Sequence, residues 1–269
     1  IDRWNKILQG SELFRGTEGY SVLIKGLPGT GKTSLGLSIL EKVCSKYKAK
    51  LITLVEPAYQ ILNLLGLFSF NFNNNLDIID TTISDLEDTS GYLNKLESSE
   101  IKCLMIDGIS ILKYQEGGLK ERTKNLIDRL KERKISSILI SEESILGEDK
   151  FFEYLVDGVI NLSIDAVSRQ RFIEISKMRY INYIAGKHSF CFRENIYDNE
   201  KKIDLIVNPS IKCYIEEREG KVEEQNNKPI NSGIKGFDRL INGNSKEALD
   251  SGDTILVLGE PGSGKTLFA

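Results

Sequence analysis

The stretch YSVLIKGLPGTGKT, residues 20–33, runs apolar from Tyr20 to Ile24 and then into a glycine-rich loop that ends in Lys32 and Thr33. Its spacing is Gly26, four residues, then Gly31-Lys32-Thr33. Glycines in such a loop let successive backbone N–H groups curl around phosphate oxygens, and a helix starting directly after it turns its positive dipole end toward them. The lysine then reaches the β- and γ-phosphates, and the threonine hydroxyl joins a Mg²⁺ shell. The preceding run reads as a strand. The following one reads as a helix with Leu35, Ile39, Leu40 and Val43 on one face, the setting this loop requires. The pattern predicts an ATP–Mg²⁺ site over Gly26, Leu27, Pro28, Gly29, Thr30, Gly31, Lys32, Thr33 and Ser34, with Thr33 also a metal ligand.

A second copy stands near the C-terminus, where TILVLGEPGSGKT (254–266) repeats strand, loop, lysine and threonine. It assigns Gly259, Gly262, Ser263, Gly264, Lys265 and Thr266 to a second nucleotide cradle, with Thr266 on its metal. Residues 1–36 laid over 234–269 match at one constant offset: Ile1 with Ile234, Gly10 with Gly243, Gly19 with Gly252, Leu23 with Leu256, Gly26 with Gly259. So long a period fits tandem duplication of a whole domain. The expected organisation is a first domain over 1–212, a polar linker over 213–230, and the opening of a second domain over 231–269. The chain starts at Ile1 and stops three residues after Thr266, as an excerpt from a longer protein would.

The chain has 269 residues, 40 % hydrophobic and 28 % charged, with a formal net charge of −3, so a sizeable core is expected and no global basic field attracts nucleic acid or anionic lipid. Cys44, Cys103, Cys191 and Cys213 form no CxxC pair, which points to reduced thiols. Neither a signal peptide nor a long apolar span is recognisable, and a soluble, cytoplasmic protein is the expectation.

Lys50 to Val55 reads as a buried strand ending at Glu56-Pro57, which puts Glu56 at a strand's carboxyl end, where open α/β sheets bind ligands. Residues 61–70 predict a short buried helix, followed by an Asn-rich turn at 71–75, a strand near Asp77 to Asp80 and a helix carrying Leu93 and Leu96. Ile101 to Ile106 runs apolar into Asp107-Gly108. Many buried strands end in Asp at a turn, but beside a phosphate loop this is the carboxylate expected on the metal. Residues 119–134 predict an amphipathic helix with Leu119, Leu126, Ile127 and Leu130 inward and a solvated or subunit-facing charged face. Ile135 to Ile140 and Val159 to Leu162 read as strands, and alternation from Arg169 to Met178 predicts β-hairpins. His188, the single histidine, reads as an exposed turn residue.

Strand and loop, Glu56 after the next strand, Asp107, and late hairpins containing Lys177-Met178-Arg179 together resemble the RecA-like ATPases, and within them the KaiC family. NSGIKGFDRLING, followed by SGDTILVLGEPGSGKT, is similar to that family's domain start. The resemblance implies an α/β, RecA-like P-loop NTPase fold with a mostly parallel central sheet flanked by helices and C-terminal β-hairpins. It also implies a homo-oligomeric ring, a hexamer, with ATP between subunits. Lys32, Thr33, Glu56 and Asp107 would act in cis, while Lys177 and Arg179 would reach the neighbour's γ-phosphate. Two departures stand out. Pro57 replaces the second of two adjacent acids, and Tyr180-Ile181-Asn182-Tyr183 replaces a glycine, a small polar pair and a histidine. The expected function is an ATP-binding, slowly hydrolysing ATPase that signals its nucleotide state to partner proteins. The rivals are a RadA-type DNA recombination or repair ATPase and a non-hydrolysing, ATP-dependent assembly module. A recombinase needs basic loops, whereas residues 141–157 hold Glu142, Glu143, Glu148, Asp149, Glu153 and Asp157 against Lys150, so nucleic acid is not the expected partner.

Overall fold

The computed structural model describes residues 19–80, 100–110, 119–143, 150–194 and 203–210, together with 229–230, 249–250 and 257. In chain order the elements are β1 (Ser21–Gly26), α1 (Lys32–Cys44), β2 (Ala49–Thr53), α2 (Ala58–Leu67), β3 (Leu76–Asp80), β4 (Cys103–Asp107), α3 (Leu119–Glu132), β5 (Ser136–Glu142), α4 (Lys150–Leu155), β6 (Gly158–Ile164), β7 (Arg171–Met178), β8 (Lys187–Glu194) and β9 (Ile203–Asn208). These strands form a nine-stranded sheet in the order β3-β2-β4-β5-β1-β6-β7-β8-β9. From β3 to β6 every pairing is parallel; from β6 to β9 every pairing is antiparallel. The mostly parallel sheet with terminal hairpins is the RecA-like arrangement that the resemblance implies.

β1 lies near the sheet's centre, and its sequence shows why: strands covered on both faces are apolar throughout. Val22 and Ile24 join the core that includes Leu35, Leu37 and Leu40 of α1, and Leu23 joins the opposite core with Leu126, Ile127 and Leu130 of α3 and Phe152 of α4. Ser21, Val22, Leu23 and Ile24 are wholly buried. The amphipathic reading of α3 holds for those three residues.

Two readings are corrected. The expected buried helix at 61–70 is α2, and it buries Ile61 but leaves Tyr59, Leu62 and Leu67 at 60, 56 and 63 % exposure. Only one stripe of α2 turns to the core, where Leu64 and Leu65 also pack. His188 is not an exposed turn residue: it sits in β8 at zero exposure. Its Nδ1 accepts from the Ser210 N–H at 3.0 Å, and its Nε2 lies 3.2 Å from the Ile184 carbonyl oxygen. A ring with one acceptor and one donor nitrogen meets both partners as the neutral Nε2–H tautomer. The histidine thus ties the chain before β8 to the chain after β9.

The chain divides into two compact units, Ile1–Ile215 and Glu216–Ala269. In the second, Pro229–Ile230, the last two residues of the expected linker, pair antiparallel with Leu249–Asp250. The second glycine loop with Gly259, Gly262, Ser263, Gly264, Lys265 and Thr266, the helix expected at Leu93 and Leu96, residues 213–228 and Cys213 lie outside the described residues. Cys44 and Cys103 are buried free thiols, and burial raises both above the usual thiol range, Cys44 to about 12.

Candidate nucleotide site

Parallel strands bring their carboxyl ends to one edge, and there the sequence places its carboxylates. Gly26 of β1 is in register with Glu142 of β5, and Thr53 of β2 with Asp107 of β4. Glu56 follows β2 at the same edge.

The loop between β1 and α1 needs glycine for steric reasons. A Cβ on Gly26 would sit 2.3 Å from the Leu162 carbonyl oxygen. Gly31 caps α1 at φ +97°, and a Cβ there would meet the Phe192 ring at 2.8 Å. Phe192 belongs to an aromatic cluster with Phe68 and Phe190 at centroid distances of 5.2 and 5.8 Å, so the hairpin strand β8 braces the loop from behind. α1 begins with no side-chain cap and no acidic residue in its first turn. Among the described residues its leading N–H groups have no side-chain acceptor, which is the donor set an anion takes up.

Lys32 Nζ donates to the Leu27 carbonyl at 3.0 Å, folded over its own loop. Burial lowers its pKa, while Glu142 and Asp107 act in the opposite sense. The Thr33 hydroxyl donates to Asp107 Oδ2 at 2.8 Å. Burial pushes the Asp107 carboxyl up to about 6; the Thr33 hydrogen bond and Lys32 oppose this, and the charges of Glu56 and Glu142 add to it. Glu56 itself is exposed, and its carbonyl accepts from the Thr53 hydroxyl. Mg²⁺ keeps most of its shell as water and phosphate oxygen and takes few protein ligands. The paired hydroxyl and carboxylate of Thr33 and Asp107 fit that demand.

Glu142 was read in the sequence only as part of an acidic segment, yet it acts electrostatically on both Lys32 and Asp107. The sequence carries no direct signal for this: only the parallel pairing of β5 with β1 brings its last residue beside the loop.

Lys177 and Arg179 are elsewhere. Lys177 pairs with Val159, and Gly158, the residue before it, is in register with Val22 of β1. From Val22 to Gly26 the strand advances about 13 Å at its usual rise per residue, so both cations stand at the edge opposite the glycine loop. Lys177 Nζ donates to the carbonyls of Glu153 and Val156, 2.6 Å each, at the end of α4. Its pKa is lowered by burial and by Arg179. Arg179 donates its backbone N–H to the Asp157 carbonyl at 2.9 Å and accepts at its own carbonyl from the Tyr20 hydroxyl at 2.8 Å. Its guanidinium is 3.7 Å from Asp157 Oδ1 and half exposed.

Asp157 is the hub of this arrangement and was missed in the sequence. Burial alone would raise its pKa, but hydrogen bonds from Lys131 and from the Ser21 hydroxyl and N–H prevail and hold it low. It does not belong to a solvated acidic loop. Glu153 is likewise engaged, 2.7 Å from Lys25. Glu148 and Asp149 lie outside the described residues.

The sequence matches the family described as "ATPase: KaiC" over residues 11–198. It is 24 % identical to circadian clock protein KaiC2 of Synechocystis over 94 % of this chain and 46 % of that protein, so it spans about half the length of such relatives. The DNA repair protein RadA of Aquifex aeolicus is 23 % identical over 61 % of this chain and 38 % of its own length. A KaiC-like protein from Pyrococcus horikoshii shares the fold, with a TM-score of 0.59 at 23 % identity, covering 71 % of this chain and 90 % of the other. Among the described residues no helix is long and apolar enough to cross a membrane.

Proposed function

The chain belongs to the KaiC family of ATPases, and from that premise we propose that its first unit binds ATP with Mg²⁺ and hydrolyses it slowly within a cytoplasmic homo-oligomeric ring, a hexamer, whose nucleotide state partner proteins read. One observation carries the nucleotide reading: the Thr33 hydroxyl meets Asp107 Oδ2 at 2.8 Å directly beneath the uncapped start of α1.

In this reading residues Gly26 to Ser34 wrap the phosphates with backbone N–H groups, and Lys32 leaves the Leu27 carbonyl to neutralise the β- and γ-oxygens. Thr33 and Asp107 hold Mg²⁺, which when bound offsets charge on the β- and γ-phosphates. Glu56 orients the attacking water and accepts its proton. Arg179 and Lys177 stabilise the transition-state charge of the next copy's ATP. Their place at the edge opposite their own glycine loop supports action in trans, since β1 separates them from it. The loss of a second acid to Pro57 favours one rival, a module in which ATP only holds copies together.

Mass measured with and without ATP–Mg²⁺, alongside a mixing experiment, tests this. Arg179→Ala chains with an intact loop, combined with Lys32→Ala chains that keep Arg179, should recover hydrolysis that neither shows alone. Mixed rings without recovery refute action in trans, and assembly with no hydrolysis selects the assembly module.

A further inference from the structure

Tyr180 is 96 % exposed and stands at φ 61°, in the left-handed region that a glycine would occupy with less strain. Its own chain covers almost none of the ring. Its base, by contrast, is fixed: Arg179 is bonded on one side to the Asp157 carbonyl and on the other to the Tyr20 hydroxyl. An aromatic left in solvent on a fixed backbone, at a conformational cost, needs a benefit that a lone copy does not supply.

At the opposite edge of the sheet lies a set of apolar residues that stand exposed among the described residues. Val55, Tyr59 and Leu62 are 62, 60 and 56 % exposed. Tyr59 and Leu62 are one turn apart on α2, and Val55 lies against Gly108, the residue after Asp107. Glu56 sits within this stripe, and Asp107 and Glu142 lie along the same edge. The two edges are therefore complementary in kind and in order: a cation next to an aromatic on one, carboxylates next to an apolar stripe on the other.

We propose that Tyr180 docks on the Val55–Tyr59–Leu62 stripe of a second copy of this chain, beside that copy's nucleotide site. This rests on the ring reading above. Tyr180 is adjacent to Arg179, with Cα atoms about 3.8 Å apart. When Arg179 addresses the phosphate side of a neighbouring site, Tyr180 falls on the residues that border Glu56. Two different surfaces at opposite edges make a head-to-tail contact, which repeats from copy to copy. The ring of a buried interfacial tyrosine contributes large contact area with little rotamer entropy to lose, as interface anchors do.

The test compares the full chain with its Tyr180→Gly and Leu62→Asn variants by mass and by thermal unfolding, with and without ATP–Mg²⁺. Without nucleotide, Tyr180→Gly should unfold at the same temperature or higher, because glycine suits φ 61° and the side chain it removes is 96 % exposed. With ATP–Mg²⁺, its assembly should weaken by about tenfold or more, as expected for an interface anchor. Leu62→Asn should weaken assembly too, and the double variant should lose less than the two single losses combined, since the residues share one contact. A parent that assembles and a Tyr180→Gly chain that assembles equally well overturn the docking role while leaving the ring intact. A parent that stays monomeric with ATP–Mg²⁺ bound overturns both. Additive losses in the double variant refute the pairing of Tyr180 with the stripe.

Discussion

Asp107→Asn should stabilise the ligand-free protein and weaken its hold on ATP–Mg²⁺, two effects of opposite sign from one atom. The carboxyl titrates near 6 in the folded protein against an ordinary 3.8, with burial the main cause. Between those pH values the folded state binds more protons than the unfolded chain, so stability falls as pH rises, and above about 6 the cost is complete. A shift of this size corresponds to at most about 3 kcal/mol; the side chain keeps some contact with solvent, which trims it to about 2 kcal/mol. Asparagine keeps an oxygen to accept from the Thr33 hydroxyl and carries no charge. At pH 7.5 the variant should gain that amount in chemical unfolding, or about 4–8 °C in melting temperature for a chain of this size. Below pH 4 the two proteins should converge, because the parent is then neutral as well. Added ATP–Mg²⁺ should reverse the order, since the carboxylate proposed to bind the metal is absent. A variant that is less stable than the parent by the same margin at every pH would refute the claim that a buried charge sits at this position.

Lys32→Ala should abolish the thermal shift that ATP produces in the first unit, because the only lysine of the loop is lost; an unchanged shift removes the nucleotide reading. Glu56→Gln should leave ATP binding intact and lower hydrolysis by about 10²-fold or more, the usual worth of a positioned base; a parental rate would make Glu56 a strand-end residue and nothing more. Single-stranded DNA should neither bind tightly at physiological salt nor stimulate hydrolysis, given a net charge of −3. A salt-dependent submicromolar complex would restore the recombinase reading.

What the sequence discloses and what it hides divide along the range of the forces involved. The loop around Gly26 and Lys32 was legible because its conformation is set by local backbone requirements, and β1 and β4 because burial on both faces demands apolar runs. The sheet order was not readable residue by residue, and with it went Glu142, whose place beside Gly26 depends on β5 pairing with β1. Asp157 was hidden for the same reason: its partners Ser21 and Lys131 are 136 and 26 residues away. His188 was misread because a histidine beside Gly186 and Lys187 looks like a turn, whereas two backbone partners, at Ile184 and Ser210, satisfy it inside. The exposed apolar residues of α2 carry a periodicity that reads as core; burial depends on what faces the helix, and periodicity does not encode that.

Pro57 bears on the role proposed for Glu56, because the resemblance implies two adjacent acids at this place. It stands at the N-cap of α2 with φ −59°, the value its ring imposes, and its carbonyl accepts from the Gln60 N–H at 2.9 Å. One residue earlier, the Thr53 hydroxyl donates to the Glu56 carbonyl. The backbone on both sides of Glu56 is thereby fixed by a pyrrolidine ring and a side-chain hydrogen bond, with no acidic neighbour involved. A second carboxylate at position 57 would have added negative charge next to Glu56, which with Glu142 already raises the pKa of Asp107 in part. Replacing it with proline removes that repulsion and lowers the entropy of the unfolded chain at the same point. On the proposed reading a lone Glu56 would both orient water and accept its proton, so Glu56→Gln should lower hydrolysis by about 10²-fold or more with no second acid to take over, while the hold on ATP–Mg²⁺ proposed for Lys32, Thr33 and Asp107 should stay as it was.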